Sequence, residues 1–360
     1  MQLSRHESAR SGARRNILAL LIIVLVFGGA CAQTAPTPES PAYPDSDPLP
    51  SWNDGAAKEA IFEFVRESTD ESGQNYVAPE DRIAVFDQDG TLWVEHPLYT
   101  QGVFALDRVR ALAPSHPEWA EKEPYKSVIV NDTKAISNFT KADWEAIIAA
   151  THAGMTTAQF TETARQWFAT AKHPRYDRPY TDLVYQPMLE VIALLRENGF
   201  RTFMVTGGGQ LFVRSYAREV YGFSRAEIVG SSLVLKYEYD SGSPVLMREP
   251  KLFLMDDGPG KAVGIDTFIG QRPFAAFGNS GGDREMLEWT GAGNGARLMM
   301  LVLHDDPVRE YAYGPAEGLP NTDVGTFPQS LADEANAKGW VIISMKNDWN
   351  RIFKFEETEH

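Results

Sequence analysis

Apolar positions change their pattern along the chain. Ile17 to Phe27 form one unbroken apolar run. A Pro-rich tract follows over residues 33 to 50, with Pro36, Pro38, Pro41, Pro44, Pro48 and Pro50 and little that could pack, so it reads as an extended spacer. From Trp52 the pattern becomes globular. Ala56 to Ser68 has helical spacing, with Ile61, Phe62 and Val65 as its buried stripe. Ile83–Phe86 is a short strand-like run. Residues 98 to 180 carry helical patterns at 101–112, 141–150 and 156–171, and Trp119, Trp144, Trp167 and Phe168 offer a separate small core. Beyond residue 185 helices and strands alternate, as in a parallel sheet. The expected order is helix 185–198, strand Arg201–Thr206, helix 210–220, a hairpin over 228–255 turning at Ser241-Gly242-Ser243, helix 261–269, strand Phe274–Phe277, helix 283–289, strand Leu298–His304 and strand Val341–Met345. The pattern predicts an α/β fold with a mainly parallel sheet, its core over 52–97 and 181–360, interrupted by a helical insertion over 98–180.

The N-terminus carries a different message. Arg5, Arg10, Arg14 and Arg15 precede the apolar run, and Gly28-Gly29-Ala30 lead from it to Cys31. That charged, apolar, small-residue order is that of a bacterial export signal. The run is shorter than the roughly 18 residues a spanning helix prefers, with an uncleaved anchor left open. Cys31 is the chain's only cysteine, so no intramolecular disulfide can form. Its position resembles a lipoprotein signal, which implies lipidation at Cys31 and a tether to the membrane through the N-terminus alone. Gly28 departs from the Leu, Val or Ile favoured at that place. Ala30-Cys31-Ala32 also reads as a cleavage site that releases a soluble protein. Residues 1–31 are therefore expected to be a signal peptide and 32–51 a linker, with the folded part in the periplasm of the bacterial envelope.

Charge narrows the partners. The formal net charge is −15, and removing residues 1–31, with four Arg and one Glu, takes it to −18. Such acidity argues against nucleic acid and anionic lipid surfaces as partners. With 360 residues and 43% hydrophobic content, the chain can bury a large core.

The candidate chemistry begins where the first strand stops. Ile83-Ala84-Val85-Phe86 runs into Asp87-Gln88-Asp89-Gly90-Thr91. Residues two apart on a strand share a face, so Asp87 and Asp89 emerge together at its C-terminal end, where ligands of open α/β sheets bind. Two carboxylates this close call for a cation or a shared proton. The pattern resembles the first motif of the haloacid dehalogenase-like hydrolase superfamily, whose phosphatases carry Asp-x-Asp-Gly-Thr. Three later stretches resemble that superfamily's remaining motifs in their order. Met204-Val205-Thr206-Gly207-Gly208-Gly209 ends a strand in a hydroxyl and lets backbone amides approach an anion. In Asp257-Gly258-Pro259-Gly260-Lys261, the lysine opens a helix, where positive charge is disfavoured unless an anion is near. Its spacing is not that of a Walker A loop. Phe274-Ala275-Ala276-Phe277-Gly278-Asn279-Ser280-Gly281-Gly282-Asp283 resembles the fourth motif of the phosphoserine phosphatase-like branch, with Asn279 where relatives commonly carry an acidic metal ligand.

The resemblance implies a Rossmann-like three-layer α/β/α core with a C1-type helical cap formed by residues 98–180. It implies that Asp87 attacks phosphorus and that Asp89 serves as general acid and then base. Asp89 argues against carbon–halogen cleavage, because dehalogenase relatives lack the second carboxylate. Thr206 and amides near Gly90 and Gly207 would hold phosphoryl oxygens, and Lys261 would neutralise charge. Mg2+ would sit among Asp87, the Asp89 carbonyl, Asn279 and Asp283, since an amide carbonyl also suits a hard cation. Glu95, just past Trp93 at the entry to the cap, would meet a cationic group on the substrate. The expected reaction is Mg2+-dependent hydrolysis of a small phosphomonoester. The alternatives are phosphotransfer to a second alcohol and a catalytically weak, envelope-tethered phosphate-ester binding protein. His304-Asp305-Asp306 and Asp256-Asp257-Gly258 read as turn chemistry and not as cation sites. Mass spectrometry of the native N-terminus tests the leader: a lipid-modified Cys31 is expected, and an unmodified terminus there removes the tether.

Overall fold

A computed structural model describes residues 47–358. The signal peptide expected over 1–31, with Cys31, and most of the expected linker lie outside the described residues. Among the described residues no helix is long and apolar enough to cross a membrane.

The strands are β1 Ile83–Phe86, β2 Arg201–Gly209, β3 Ile228–Asp240, β4 Ser243–Leu254, β5 Ala275–Gly278, β6 Leu298–Leu303 and β7 Val341–Ser344. They form one sheet in the order β4-β3-β2-β1-β5-β6-β7. Every pairing is parallel except β3 with β4, which is antiparallel. The chain starts at β1, grows outward through β2 to β4, then returns to β1's other side with β5. That reversal is a topological switch point, and the crevice it leaves opens at the carboxyl ends of β1, β2 and β5.

Strands β1 and β6 are apolar at every position because the sheet is covered on both faces. Ala84 and Phe86 belong to one hydrophobic cluster and Ile83 and Val85 to another, as a two-residue period requires. Helices Ala56–Thr69 and Gln186–Glu197 supply the first cluster with Ile61, Phe64, Val191 and Leu195. Helices Pro259–Phe268, Arg284–Gly291 and Gln329–Lys338 supply the second with Ile265, Leu287 and Leu331. The result is the expected three-layer, Rossmann-like α/β/α arrangement.

Between β1 and β2 the chain is helical: Thr100–Leu112, Tyr125–Ile129, Thr133–Ile136, Lys141–His152 and Thr157–Phe168. A separate small core does form there, around Val109, Trp119, Tyr125, Val128 and Ile147, with Trp144 against it. Trp167 and Phe168 differ from the sequence expectation and pack into the main cluster, Phe168 lying 5.1 Å from the Phe212 ring. The expected helix 210–220 is two helices, Gln210–Val213 and Ala217–Tyr221. Ser215 sits in the gap with its hydroxyl donating to the Phe212 carbonyl at 2.6 Å, a local bond that competes with the helical ladder.

The folded part also begins earlier than Trp52. Leu49 is fully buried, Asp47 pairs with Lys58 at 2.7 Å, and the Ser51 amide and hydroxyl both donate to Glu190. Proline content marked this stretch as spacer, yet its last residues are anchored by one apolar side chain and two polar ones. Leu49→Ala should therefore lower unfolding stability by roughly 2–4 kcal/mol. Urea denaturation measures it, and a change below about 0.5 kcal/mol, the usual scale for unpacked positions, overturns the assignment.

Candidate active site

Asp87 is the first residue past β1, and its amide still donates to the Phe277 carbonyl of β5. The strand thus delivers the carboxylate into the switch-point crevice. There Lys261 Nζ donates to Asp87 Oδ1 and to Asp283 Oδ1, each at 2.5 Å. Lys261 and Asp283 are almost fully buried and Asp87 nearly so. Burial disfavours the Lys261 ammonium, but the Asp283 and Asp87 carboxylates hold it well above the usual lysine range. Burial, then the charge on Asp283, pushes Asp87 upward against the pull of Lys261.

The second oxygen of Asp283 has other work. Its Oδ2 accepts the amides of Asn279 at 2.9 Å and Ser280 at 3.1 Å. Asp283 therefore fixes Lys261 with one oxygen and the 279–283 turn with the other. Asp89 turns to Trp93, whose indole donates to Oδ1 at 2.6 Å. Burial lifts Asp89 to about 6, against that hydrogen bond and Lys261.

Gly90 holds the turn together. Its φ is +74°, and a Cβ there would collide with Asn279 Nδ2 and the Glu95 carboxylate; only glycine satisfies both demands. Asn279 Nδ2 donates to Glu95 Oε1 at 2.7 Å, while its Oδ1 accepts from the Thr91 hydroxyl at 3.2 Å. The Tyr313 hydroxyl also donates to Glu95 Oε1, at 2.8 Å. Glu95, expected at the substrate, thus has internal partners. Burial raises it well above the ordinary glutamate range, although the Tyr313 bond opposes this.

Thr206 is buried near the end of β2, and its Oγ1 accepts the Gly208 amide at 3.0 Å. The register with β3 slips between Thr206 and Gly209, so Gly207 and Gly208 bulge out of the ladder. The structure brings Asp87, Asp89, Lys261 and Asp283 to one buried centre. Asn279, Gly90 and Glu95 form its adjoining wall, and Thr206 with Gly207 ends the neighbouring strand.

Several functional candidates escaped the sequence reading. Gln101, in the first turn of helix Thr100–Leu112, accepts the Gly209 amide on Oε1 at 2.6 Å. Its Nε2 faces His152 Nε2 at 3.0 Å. Nothing in the local sequence distinguishes it. His304 was visible but read as part of a turn. Its Nε2 donates to the Gly90 carbonyl at 2.7 Å and its Nδ1 faces Glu310 at 3.1 Å. Asp305 and Asp306 go elsewhere, to Ser344 and Arg309, so the three do not converge. Asp256 is fully buried, and burial lifts it to about 7 against Lys261.

A divalent cation suits this donor set. Asp87, Asp283 and Glu95 are buried and Asp89 adjoins them, four neighbouring carboxyl groups against the single ammonium of Lys261, an excess of acidic oxygens that a hard cation offsets. Among the described residues no cluster of three His, Cys, Asp or Glu side chains forms a site by itself. A backbone carbonyl and the Asn279 amide oxygen would have to complete the shell.

The family description "haloacid dehalogenase-like hydrolase" matches residues 84–288, over half of the chain and all four motif positions. The chain belongs to the haloacid dehalogenase-like hydrolases. No curated protein matches it. Similar solved structures include a conserved, functionally unknown protein from Anaerococcus prevotii, 14% identical over 69% of this chain and 86% of that one, with TM-score 0.48. A protein of unknown function from Bordetella pertussis is 17% identical over 73% and 97% of the respective chains, TM-score 0.45. A phosphoserine phosphohydrolase-like protein from Francisella tularensis is 14% identical over 72% and 94%, TM-score 0.36. Membership in the haloacid dehalogenase-like hydrolases rests on the family match and not on these distant likenesses.

In this hydrolase Tyr313→Phe should cost about 1–3 kcal/mol, because Glu95 loses a buried hydrogen bond. Thermal or urea unfolding reads the change, and an unaltered midpoint contradicts the network.

Proposed function

We propose that this hydrolase is a Mg2+-dependent phosphomonoesterase acting on small organophosphates through a phosphoaspartate at Asp87. The observation that carries the reading is the second carboxyl group, Asp89, beside a carboxylate already locked by Lys261. A dehalogenase would have no use for it, whereas an ester needs a proton on its departing oxygen.

In the first step an Asp87 oxygen forms a bond to phosphorus while the ester P–O bond breaks. Asp89 passes its proton to the leaving oxygen. In the second step Asp89, now a carboxylate, takes a proton from water. The resulting hydroxyl bonds to phosphorus, and the Asp87–phosphorus bond breaks to return the free carboxylate. Lys261 fixes Asp87 in orientation and faces the transferring group with positive charge. The Thr206 hydroxyl and amides near Gly90 and Gly207 would receive the phosphoryl oxygens.

Asp87, the Asp89 carbonyl and Asn279 Oδ1 would hold Mg2+, which when bound offsets the charge of the phosphoryl oxygens. Both oxygens of Asp283 are engaged, so it would serve by positioning Lys261 and the turn that presents Asn279. Glu95 and Tyr313 would keep the Asn279 amide in the same orientation. The helical segment after β1 would act as the cap that excludes water, in keeping with the burial of Asp87 and Lys261. The leader over residues 1–31 supports export to the envelope.

Hydrolysis of p-nitrophenyl phosphate with Mg2+ across pH 5–9 tests the activity; a folded, metal-supplied protein without turnover removes it. Asp87→Asn should reduce that turnover by at least about a thousandfold, the scale seen when a covalent nucleophile is lost. The fold should persist, and residual activity near the parent level would transfer the nucleophile's role elsewhere.

A further inference from the structure

Where β3 leaves the sheet, the molecule turns an apolar face to solvent. β2 accompanies β3 only as far as Ser231, and from Ser232 to Asp240 β3 has β4 alone as its partner. Large apolar side chains exposed among the described residues concentrate on these two strands: Leu235, Tyr237, Tyr239, Leu246, Leu252 and Phe253. In the antiparallel register Tyr237 lies opposite Leu246, Tyr239 opposite Pro244 and Leu235 opposite Arg248. Directly opposed residues share a face. Lys236 and Glu238 belong to the other face, where they pair at 2.6 Å. The ribbon is therefore amphipathic. At its root Arg248 is buried against the Phe160 ring of the helical segment. Towards the tip the apolar face is bare, with Tyr237 62% and Tyr239 70% exposed.

The hairpin cannot swing to cover that face itself. The Arg248 amide donates to the Met155 carbonyl at 3.0 Å, and the Gly154 amide to the Arg248 carbonyl at 2.9 Å, which fastens β4 to the helical segment. The same bonds close the outer edge of β4 at Arg248. Nearer the tip, Pro244 has no amide to offer a further strand. Strand addition along this edge is thus obstructed, and the free surface is the face. A two-stranded ribbon is marginal in water by itself, so covering the face stabilises it.

Charge selects the occupant. Along Ile228–Leu254 the basic residues Lys236, Arg248 and Lys251 balance the acidic residues Glu238, Asp240 and Glu249, in a chain of net charge −15. Two copies that approach through their ribbons meet on a region of balanced charge, whereas their acidic remainders repel. The same acidity opposes an anionic lipid surface. A twofold axis through the face sets Tyr237, Tyr239 and Leu246 of one copy against the same residues of the other, as an isologous contact requires. Each tyrosine buries about 150–250 Å² when fully covered. With Leu235, Pro244 and Leu246, two facing copies approach the ~1,000 Å² at which a contact becomes specific.

We propose that the apolar face of the β3–β4 hairpin is the contact of a twofold homodimer, in which the ribbons of two copies pack face to face. The interface is small, so association falls in the micromolar range.

Sedimentation velocity of the full chain between roughly 1 and 100 µM tests it, the range in which so small an interface should assemble. The parent protein should pass from monomer to dimer across that range. Tyr237→Lys combined with Tyr239→Lys should weaken the dimer at least about tenfold, as expected when central aromatic contacts are lost. Val308→Lys changes an apolar side chain that is 83% exposed away from the hairpin, and should associate like the parent. A parent protein that stays monomeric throughout, or a double variant that associates as well as the parent, overturns the proposal. Should the double variant fail to fold, hydrogen–deuterium exchange of the parent at the two ends of the range takes its place. Slower exchange over residues 235–246 at the higher concentration supports the contact, and unchanged exchange there overturns it. Co-sedimentation with vesicles of phosphatidylethanolamine and phosphatidylglycerol examines the other occupant. A parent protein that binds them while monomeric, and loses binding in the double variant, overturns the homodimer in favour of lipid.

Discussion

One ammonium group shared by two carboxylates organises this molecule. Lys261 touches Asp87 and Asp283, which come from the ends of β1 and of the turn after β5. Lys261 itself opens helix Pro259–Phe268. Three separate stretches of chain are thereby pinned to one point. Removing one partner from a buried pair leaves an uncompensated charge, at a cost of about 3–5 kcal/mol. The arrangement is therefore strict about where each segment ends. It also makes sense of a lysine at a helix N-terminus, a poor place for positive charge unless anions already wait there.

Around that point, precision comes from neighbours that touch neither carboxylate oxygen of Asp87. His304 clamps the Gly90 carbonyl, Asn279 and Glu95 close over Gly90's missing side chain, and Tyr313 secures Glu95. Tyr313 also stacks on His304 at 4.4 Å and on His96 at 3.6 Å. The β1 turn is held from β5, from the chain after β6 and from its own continuation. This redundancy lets a buried, negatively charged turn keep one geometry.

The sequence exposed those parts whose physics is local. Strand Ile83–Phe86 agreed to the residue because an apolar run covered on both faces has sharp ends. Helix Ala56–Thr69 and the Ser241-Gly242 hairpin turn were equally plain. What stayed hidden depends on distant partners. Leu49 and Ser51 resemble spacer until Glu190 and the main core are in place. Helix Gln329–Lys338 buries only Leu331, Ala332 and Ala335, too thin a stripe to stand out by periodicity. Trp167 and Phe168 could be assigned to the insertion by sequence position, but they pack against Phe212 and Tyr180 beside the sheet. Within the site, the motif residues were legible because each closes a strand or opens a helix. Gln101 and His304 were not, since their meaning lies in what they face.

The polarity of one hydrogen-bond chain shows how the helical segment and the catalytic strands are coupled. The Gly209 amide can only donate, so it requires the oxygen of Gln101 and turns the amide nitrogen toward His152. Nε2 of His152 must then accept, which places its proton on Nδ1. That proton goes to the Thr151 hydroxyl at 2.7 Å, whose own hydrogen is given to the Ile147 carbonyl at 2.7 Å. Each bond sets the direction of the next, from the bulge after Thr206 into helix Lys141–His152. A protonated His152 would present a donor to the Gln101 nitrogen and break the sequence. Burial and the charges of Arg248 and Arg108 keep the ring neutral, which preserves the contact between the helical segment and the glycine-rich end of β2.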